Sequence, residues 1–362
     1  MEHSATEILA AITQETRERE LFHEQANALA EKKMLEAAER PLVIGVATIT
    51  WEYSNTPHPI FLGLLEGIKS RLRASGCDLL LYTTIDLDPD AYLRRCRESG
   101  VAGVILHGFT TDDARVSRLL EAGIPCVGVD DIGLAARLGH VSADNVGGAL
   151  EAVRHLYSVG RRRIATIHAP LSHAVGGERL LGYRIGLEEV GLPARSEYLA
   201  EAGFFLNDGV AAMEKLLALD ERPDAVFAAT DVMAIGAMAA IEKAGLSVPA
   251  DIAIVGFDDV PYATLVSPSL SSVRQDAPAQ GIAAAEGLLR MIVEPSSSPI
   301  ELVIPVELIV RESSGSERRK SSSDRRELLS DGQAPTSSDR RKPGSDRRKP
   351  SSHGGVAAFA GI

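Results

Sequence analysis

The sequence predicts an α/β protein made of two doubly wound parallel-sheet lobes, and three observations carry that prediction. Short apolar runs alternate with longer amphipathic segments, the pattern of βα units whose helices cover both faces of a parallel sheet. Polar residues gather just past the carboxyl ends of several of these runs, which is where open α/β sheets bind ligands. The 362 residues, 45% hydrophobic and 24% charged, have an ordinary globular composition and are long enough for two cores plus extensions.

The elements follow in order. Pro41 marks the entry to the core, and residues 42–49 form an apolar run of strand length. Trp51, Tyr53 and Phe61 come next, a concentration of aromatic side chains in a chain that is 4% aromatic; such faces stack on sugar rings or nucleobases. A helix at 62–75, a strand at 78–82, a helix at 90–99, a strand at 101–107, a helix at 114–121 and a strand at 125–129 continue the alternation, and Asp130 and Asp131 stand at the last strand's carboxyl end. A helix at 145–158 and a strand at 163–168 lead into a loop that holds His173 and reaches Arg179 at residues 178–183. Residues 198–204 and a helix at 209–219 precede the most informative stretch. There, 225–229 is a buried-strand run, Thr230 and Asp231 supply a cap for a helix at 232–244, and Gly245 ends it. A second strand at 252–257 delivers Asp258 and Asp259 into a loop broken by Pro261 and Pro268. A crossing at 274–276, a helix at 279–292 and an edge strand at 300–310 complete the core.

Five segments carry a resemblance: ATDVMAIGAMAAI, VPADIAIVGFDD, PSLSSVRQD and, upstream, ERLLGYRIGLEEVG and VSADNVGGALEAVRHLYSVGRRRIATI. Their residues, order and spacing resemble the effector-binding core of the lactose-repressor/galactose-repressor (LacI/GalR) family of bacterial transcription regulators, over roughly residues 41–311. The resemblance implies a type I periplasmic-binding-protein-like fold with a three-crossover hinge. Lobe one would span about 41–158 and 277–300, and lobe two about 159–276 and 301–311. It also implies a ligand-binding set. Phe61 and Phe204 match aromatic positions, with Phe61 stacking on the effector; Asp144 matches a position near the effector, and Gln275 a contact beside the hinge. Arg179 matches an arginine that grips effector hydroxyls or a carboxylate, and His173 falls where a purine-binding relative has arginine. Thr230, Asp231 and Asp258 join the set as polar groups at the carboxyl ends of two strands.

The ends differ from the core. Residues 1–40, a helical amino-terminal extension, carry nine Glu against five Lys/Arg, for −4; residues 311–362 carry twelve Lys/Arg against seven Asp/Glu, for +5. With the whole chain at −12, these ends leave −13 for the core, so DNA contact is expected from an end. ITQETRERE resembles the start of the third helix of the family's DNA-binding domain, and residues 26–33 loosely resemble its hinge helix. Fourteen residues precede Glu15, too few for two further helices, and Glu31-Lys32 stands where the family hinge has an arginine-serine pair. The DNA-binding region therefore reads as truncated or degenerate, and the chain as given is expected to bind an operator weakly. At the other end SERRK, SDRRE, SDRRKP and SDRRKP recur at 316, 323, 338 and 345, so 312–362 reads as a disordered basic tail rich in Ser and Arg.

No P-loop, GxSxG, HExxH or GxGxxG after the first strand is present, so an enzyme is not expected, and neither is a cofactor or metal. No apolar run is long enough for a membrane span and Met1-Glu2-His3 opens no signal peptide, so the expected location is the cytoplasm. Cys77, Cys96 and Cys126 have no metal or redox spacing. The reading is of an effector-responsive transcription regulator, expected to be a homodimer, that closes on a sugar, sugar acid or nucleoside. The alternative is a stand-alone cytoplasmic sensor that does not bind DNA and acts through a protein partner.

Overall fold

The computed structural model describes residues 41–49, 58–82, 88–110, 112–130 and 138–315. The amino-terminal extension, the basic tail from residue 316, Trp51, Tyr53 and Asp131 lie outside the described residues.

Two six-stranded sheets organise the described residues. In the first, β1 (Val43–Thr48), β2 (Asp78–Tyr82), β3 (Val101–His107), β4 (Cys126–Val129), β5 (Leu138–Ala143) and β11 (Glu301–Ile304) lie in the order β11-β5-β4-β3-β1-β2, all parallel. In the second, β6 (Ile164–His168), β7 (Leu199–Glu201), β8 (Ala225–Ala228), β9 (Ala253–Asp258), β10 (Ser271–Arg274) and β12 (Glu307–Ile309) lie in the order β12-β10-β9-β8-β6-β7, with only β12 antiparallel to its neighbour.

Residues pointing alternately to the two faces build two cores per sheet. Ile44 and Val46 of β1 and Ile105 of β3 pack with α1 (Pro59–Ala74) and α8 (Ala277–Val293). Ala47 of β1 and Val104 and Leu106 of β3 face the other way, toward α2 (Pro89–Glu98) and α3 (Ala114–Glu121). α1 presents Leu64, Ile68 and Leu72 four residues apart, so one stripe enters the core. In lobe two, Ile164, Phe227, Val255 and Phe257 pack with α4 (Asn145–Ser158) and α5 (Ala174–Glu189), while Ile167, Val226 and Ile254 pack with α6 (Leu206–Leu217) and α7 (Asp231–Lys243).

Among the described residues the chain passes between lobes three times: between β5 and α4, between β10 and α8, and between β11 and β12. These places correct the expected boundaries. The helix expected at 145–158 in lobe one packs instead on α5 in lobe two, which moves the first crossing to Asp144. The single edge strand expected at 300–310 is two strands in two sheets, which moves residues 301–304 into lobe one. The loop expected through Arg179 is confined to residues 169–173, and from Ala174 the chain is α5, whose glycines hide the helical pattern. One of them, Gly182, is required by close approach, since a Cβ there would lie 2.2 Å from the Val146 carbonyl oxygen. The packed core also runs past the expected end at 311. Ser313 and Ser314 are fully buried, and Ser313 donates to the Ile254 carbonyl at 2.7 Å.

Candidate functional site

A cavity of about 350 Å³ opens where the carboxyl ends of the two sheets' strands face each other. Lobe one lines it with Ile49, His58, Ile60, His107 and Asp130. Lobe two contributes His173, Arg179, Phe204, Phe205, Thr230 and Asp258, and Gln275 lines it from the second crossing.

Arg179 and Asp258 form its polar floor, with side chains 4% and 2% exposed. α5 carries Arg179 beneath the end of β8, where Nη1 donates to the Ala229 carbonyl at 2.5 Å and to Asp258 Oδ1 at 3.3 Å. Its Nε donates to Asn145 Oδ1 at 2.8 Å, and the guanidinium lies 3.7 Å above the centre of the Phe257 ring. These contacts fix a charged group that burial alone would make costly. β9 ends in Asp258 at φ 115°, followed by Asp259 at φ 53°, two non-glycine residues in the positive-φ region. Asp259 turns outward to Arg274 at 2.7 Å and Arg311 at 2.6 Å, and this anchorage helps hold the strained turn that aims Asp258 inward.

Asp258 Oδ1 accepts from Arg179 and, at 2.6 Å, from Gln275 Nε2. Its other oxygen, Oδ2, is buried and accepts no hydrogen bond from the protein. Burial pushes the Asp258 carboxyl up to about 6, against the opposing pull of Arg179 and Gln275. Across the cavity, His58 Nε2 is likewise buried without a partner, and burial together with the Arg179 charge lowers this imidazole to about 4, so it is neutral at pH 7. A buried acceptor from one lobe and a neutral imidazole from the other can both hydrogen-bond a polar ligand between them.

Six of the nine expected residues thus line one cavity: His173, Arg179, Phe204, Thr230, Asp258 and Gln275. The His173 and Phe204 rings meet edge to face, with centroids 5.1 Å apart. Thr230 also caps α7, its side chain accepting from Met233 N at 3.2 Å.

Three expected residues do not line the cavity. Phe61 is fully buried in lobe one against the His107 ring, while Ile60, one position earlier, takes the lining place. Asp144 caps α4 by accepting from Gly147 N at 2.8 Å. Asp231 is fully buried and accepts from Val260 N at 2.8 Å and Ser272 Oγ at 2.5 Å, tying the turn after β9 to α7. Burial and then the Asp258 charge push the Asp231 carboxyl well up.

Sequence reasoning missed His58, Ile60, His107, Phe205 and Asp208 as lining residues and noted Asp130 only as a strand-end carboxylate. A signal for two of them was the strand-end rule itself: His107 closes β3 and Asp130 follows β4.

Parallel sheets in two lobes, three crossings and a cleft lined by both lobes define a hinged small-molecule-binding protein. A family model described as a periplasmic binding protein-like domain matches residues 153–314. The HTH-type transcriptional regulator CelR of Thermobifida fusca is 34% identical over 258 residues, covering 70% of this chain and 76% of its own. The HTH-type regulator MalR of Streptomyces coelicolor is 34% identical over 282 residues, covering 75% and 80%. Among solved structures, a CelR–cellobiose complex is similar at a TM-score of 0.71 and 31% identity, covering 78% of this chain and 88% of that one. A LacI family regulator from Enterococcus faecium with bound ribose matches at a TM-score of 0.66 and 26% identity, covering 75% and 98%. The chain belongs to the LacI family of ligand-responsive transcription regulators.

Proposed function

We propose that the cleft binds a neutral sugar, of monosaccharide or disaccharide size, and that its binding closes the two lobes to change the protein's affinity for DNA. The observation that carries this reading is the unpartnered Oδ2 of Asp258 at the floor of the cavity, an acceptor placed for a ligand hydroxyl. The cavity volume of about 350 Å³ is that of a small-molecule site. Ile49, Ile60, Val175, Phe204 and Phe205 supply apolar and aromatic wall for the faces of a pyranose ring.

Charge selects among sugar, sugar acid and nucleoside. Asp130, Asp208 and Asp258 line the cavity, and Arg179 is already engaged by Asp258, Asn145 and Ala229. An added carboxylate would bring a fourth negative group to a lining that holds three aspartates and one arginine, in a site of low dielectric. The sugars in the two related complexes, cellobiose and ribose, support the same class.

DNA contact would fall to residues 1–40, the end whose segments resemble the family's DNA reader, in a homodimer. Exposed Leu62 on α1 and Ile282 on α8 offer apolar surface to a second copy.

Thermal-shift screening of neutral mono- and disaccharides, their uronates and nucleosides tests the effector class. A neutral sugar is expected to raise the melting temperature, and stabilisation by a uronate but by none of its neutral parents would refute the class. Fluorescence anisotropy on operator DNA with and without that sugar tests the output.

A further inference from the structure

Two buried glutamines link the cleft carboxylate to lobe one. Gln275, at the second crossing, donates from Nε2 to Asp258 Oδ1 at 2.6 Å, and its own Oε1 accepts from Gln280 Nε2 at 3.0 Å. Gln275 is 5% exposed and Gln280 1%, so both bonds are made away from bulk solvent.

The order of these bonds is chemically forced. An ionised carboxylate only accepts, so Gln275 must turn its NH2 toward Asp258. Its carbonyl oxygen then faces Gln280, and a donor at 280 rewards that orientation. With the amide reversed, oxygen would face oxygen.

The far end of the relay is anchored. Gln280 lies in the first two turns of α8, which packs against α1 through backbone contact. A Cβ at Gly67 would lie 2.0 Å from the Pro278 carbonyl oxygen, and one at Gly281 would lie 2.1 Å from that of Leu64, so glycine alone permits the approach. The amide pair thus has one end on a carboxylate of lobe two and the other on the paired helices of lobe one.

We propose that Gln280 is a positioning residue of the effector site: acting through Gln275, it keeps Asp258 an acceptor toward the ligand and couples that carboxylate to α1 and α8. The proposal rests on the cleft being the effector site. It deepens that reading by adding a residue that does not line the cavity and by giving lobe closure a physical link. Within lobe two, Asp258 is faced by Arg179 and sits near Asp231, while Asp259 turns away to Arg274 and Arg311. From lobe one, His58 and Asp130 line the same cavity. Changing residue 280 leaves all of these charges in place.

The test is a carboxyl-carbon NMR titration of Asp258 in the ligand-free full chain, with the Gln275 side-chain amide followed in parallel, for the wild type, Gln280→Met and Gln280→Glu. Methionine keeps the volume without the donor, and glutamate replaces donor by acceptor. The Asp258 midpoint is expected to rise by about half a pH unit or more in the Met variant, and further in the Glu variant. The Gln275 amide protons are expected to exchange faster in both. A Met variant that titrates and exchanges like the wild type overturns the proposal. Should the variants fail to fold, the wild type still decides: the Gln275 amide nitrogen must shift with the Asp258 midpoint, and a flat signal through that pH also overturns it. Because no ligand is present, failure of this test is separate from failure of the sugar-binding reading, which calorimetry reports.

Discussion

Lobe two brings to the cleft an arginine and a carboxylate that bond each other, together with a glutamine at the crossing that bonds the same carboxylate, whereas lobe one brings Ile49, Ile60, His58 and His107 with a single aspartate, Asp130. The difference assigns different work to each side. A preformed, buried polar floor supplies directional hydrogen bonds that specify hydroxyl positions, and the mixed isoleucine and histidine face of lobe one gains contact only when the lobes approach. Lobe two would then bind first and lobe one would read the result, which is the order expected if closure is driven by contacts made on the second surface.

The largest effect that separates the lobes is on stability. Arg179→Ala leaves Asp258 buried beside Asp231 without its cation, and loss of one partner from a buried pair costs about 3–5 kcal/mol. His58→Ala, in lobe one, is expected to change stability far less, because His58 Nε2 has no protein partner to lose. Chemical denaturation of both variants checks this, and equal losses would mean that the polar floor is not special.

Acidity sharpens the same contrast. Asp258 titrates near 6 in the folded protein and near 4 when unfolded, so the folded state holds the extra proton between those values. Its contribution is therefore a stabilisation of the ligand-free protein that is full below pH 4 and is lost as pH rises through 6. Sugar binding should run the opposite way, tightening as pH rises through 6, since a hydroxyl donates to the ionised carboxylate. Melting curves and calorimetry from pH 5 to 7 on the wild type and Asp258→Asn check both slopes; a wild-type affinity that is flat over that range would contradict them.

Smaller effects are expected where the resemblance and the structure part. Asp144→Ala should cost about 1 kcal/mol as a lost helix cap and leave sugar affinity within about twofold. Phe61→Leu, in the core of lobe one, should likewise alter stability rather than affinity. A tenfold loss of affinity in either would return that residue to the site.

These cases also show how far the sequence could be read. The alternation of apolar runs was legible because strands buried on both faces are continuous in hydrophobicity, and the strand-end rule located Asp258 and Thr230. Three things were not legible. Whether Phe61 or Ile60 faces the cavity depends on a helix rotation of one residue, which apolar type alone does not fix. The start of α5 reads as a loop because its glycines lower helix propensity, while Gly182 and Gly186 serve close packing against α4. The lobe boundaries depend on which sheet a short strand joins, and residues 301–304 and 307–309 are equally strand-like while pairing in different lobes.

The smallest effect is expected from the basic tail. Deleting residues 316–362 should leave the melting temperature and sugar affinity unchanged, since polar repeats of this composition offer little apolar surface for burial. A fall in melting temperature on deletion would show that the repeats dock.

Isothermal calorimetry on the wild type and Asp258→Ala at pH 7, using the sugar that most stabilises the wild type, shows directly whether Asp258 holds the effector. The variant is expected to fold and to bind that sugar about tenfold to 150-fold more weakly, about 1.5–3 kcal/mol for a hydrogen bond to a charged group. A folded variant with wild-type affinity would remove Asp258 from the site and the cleft assignment with it.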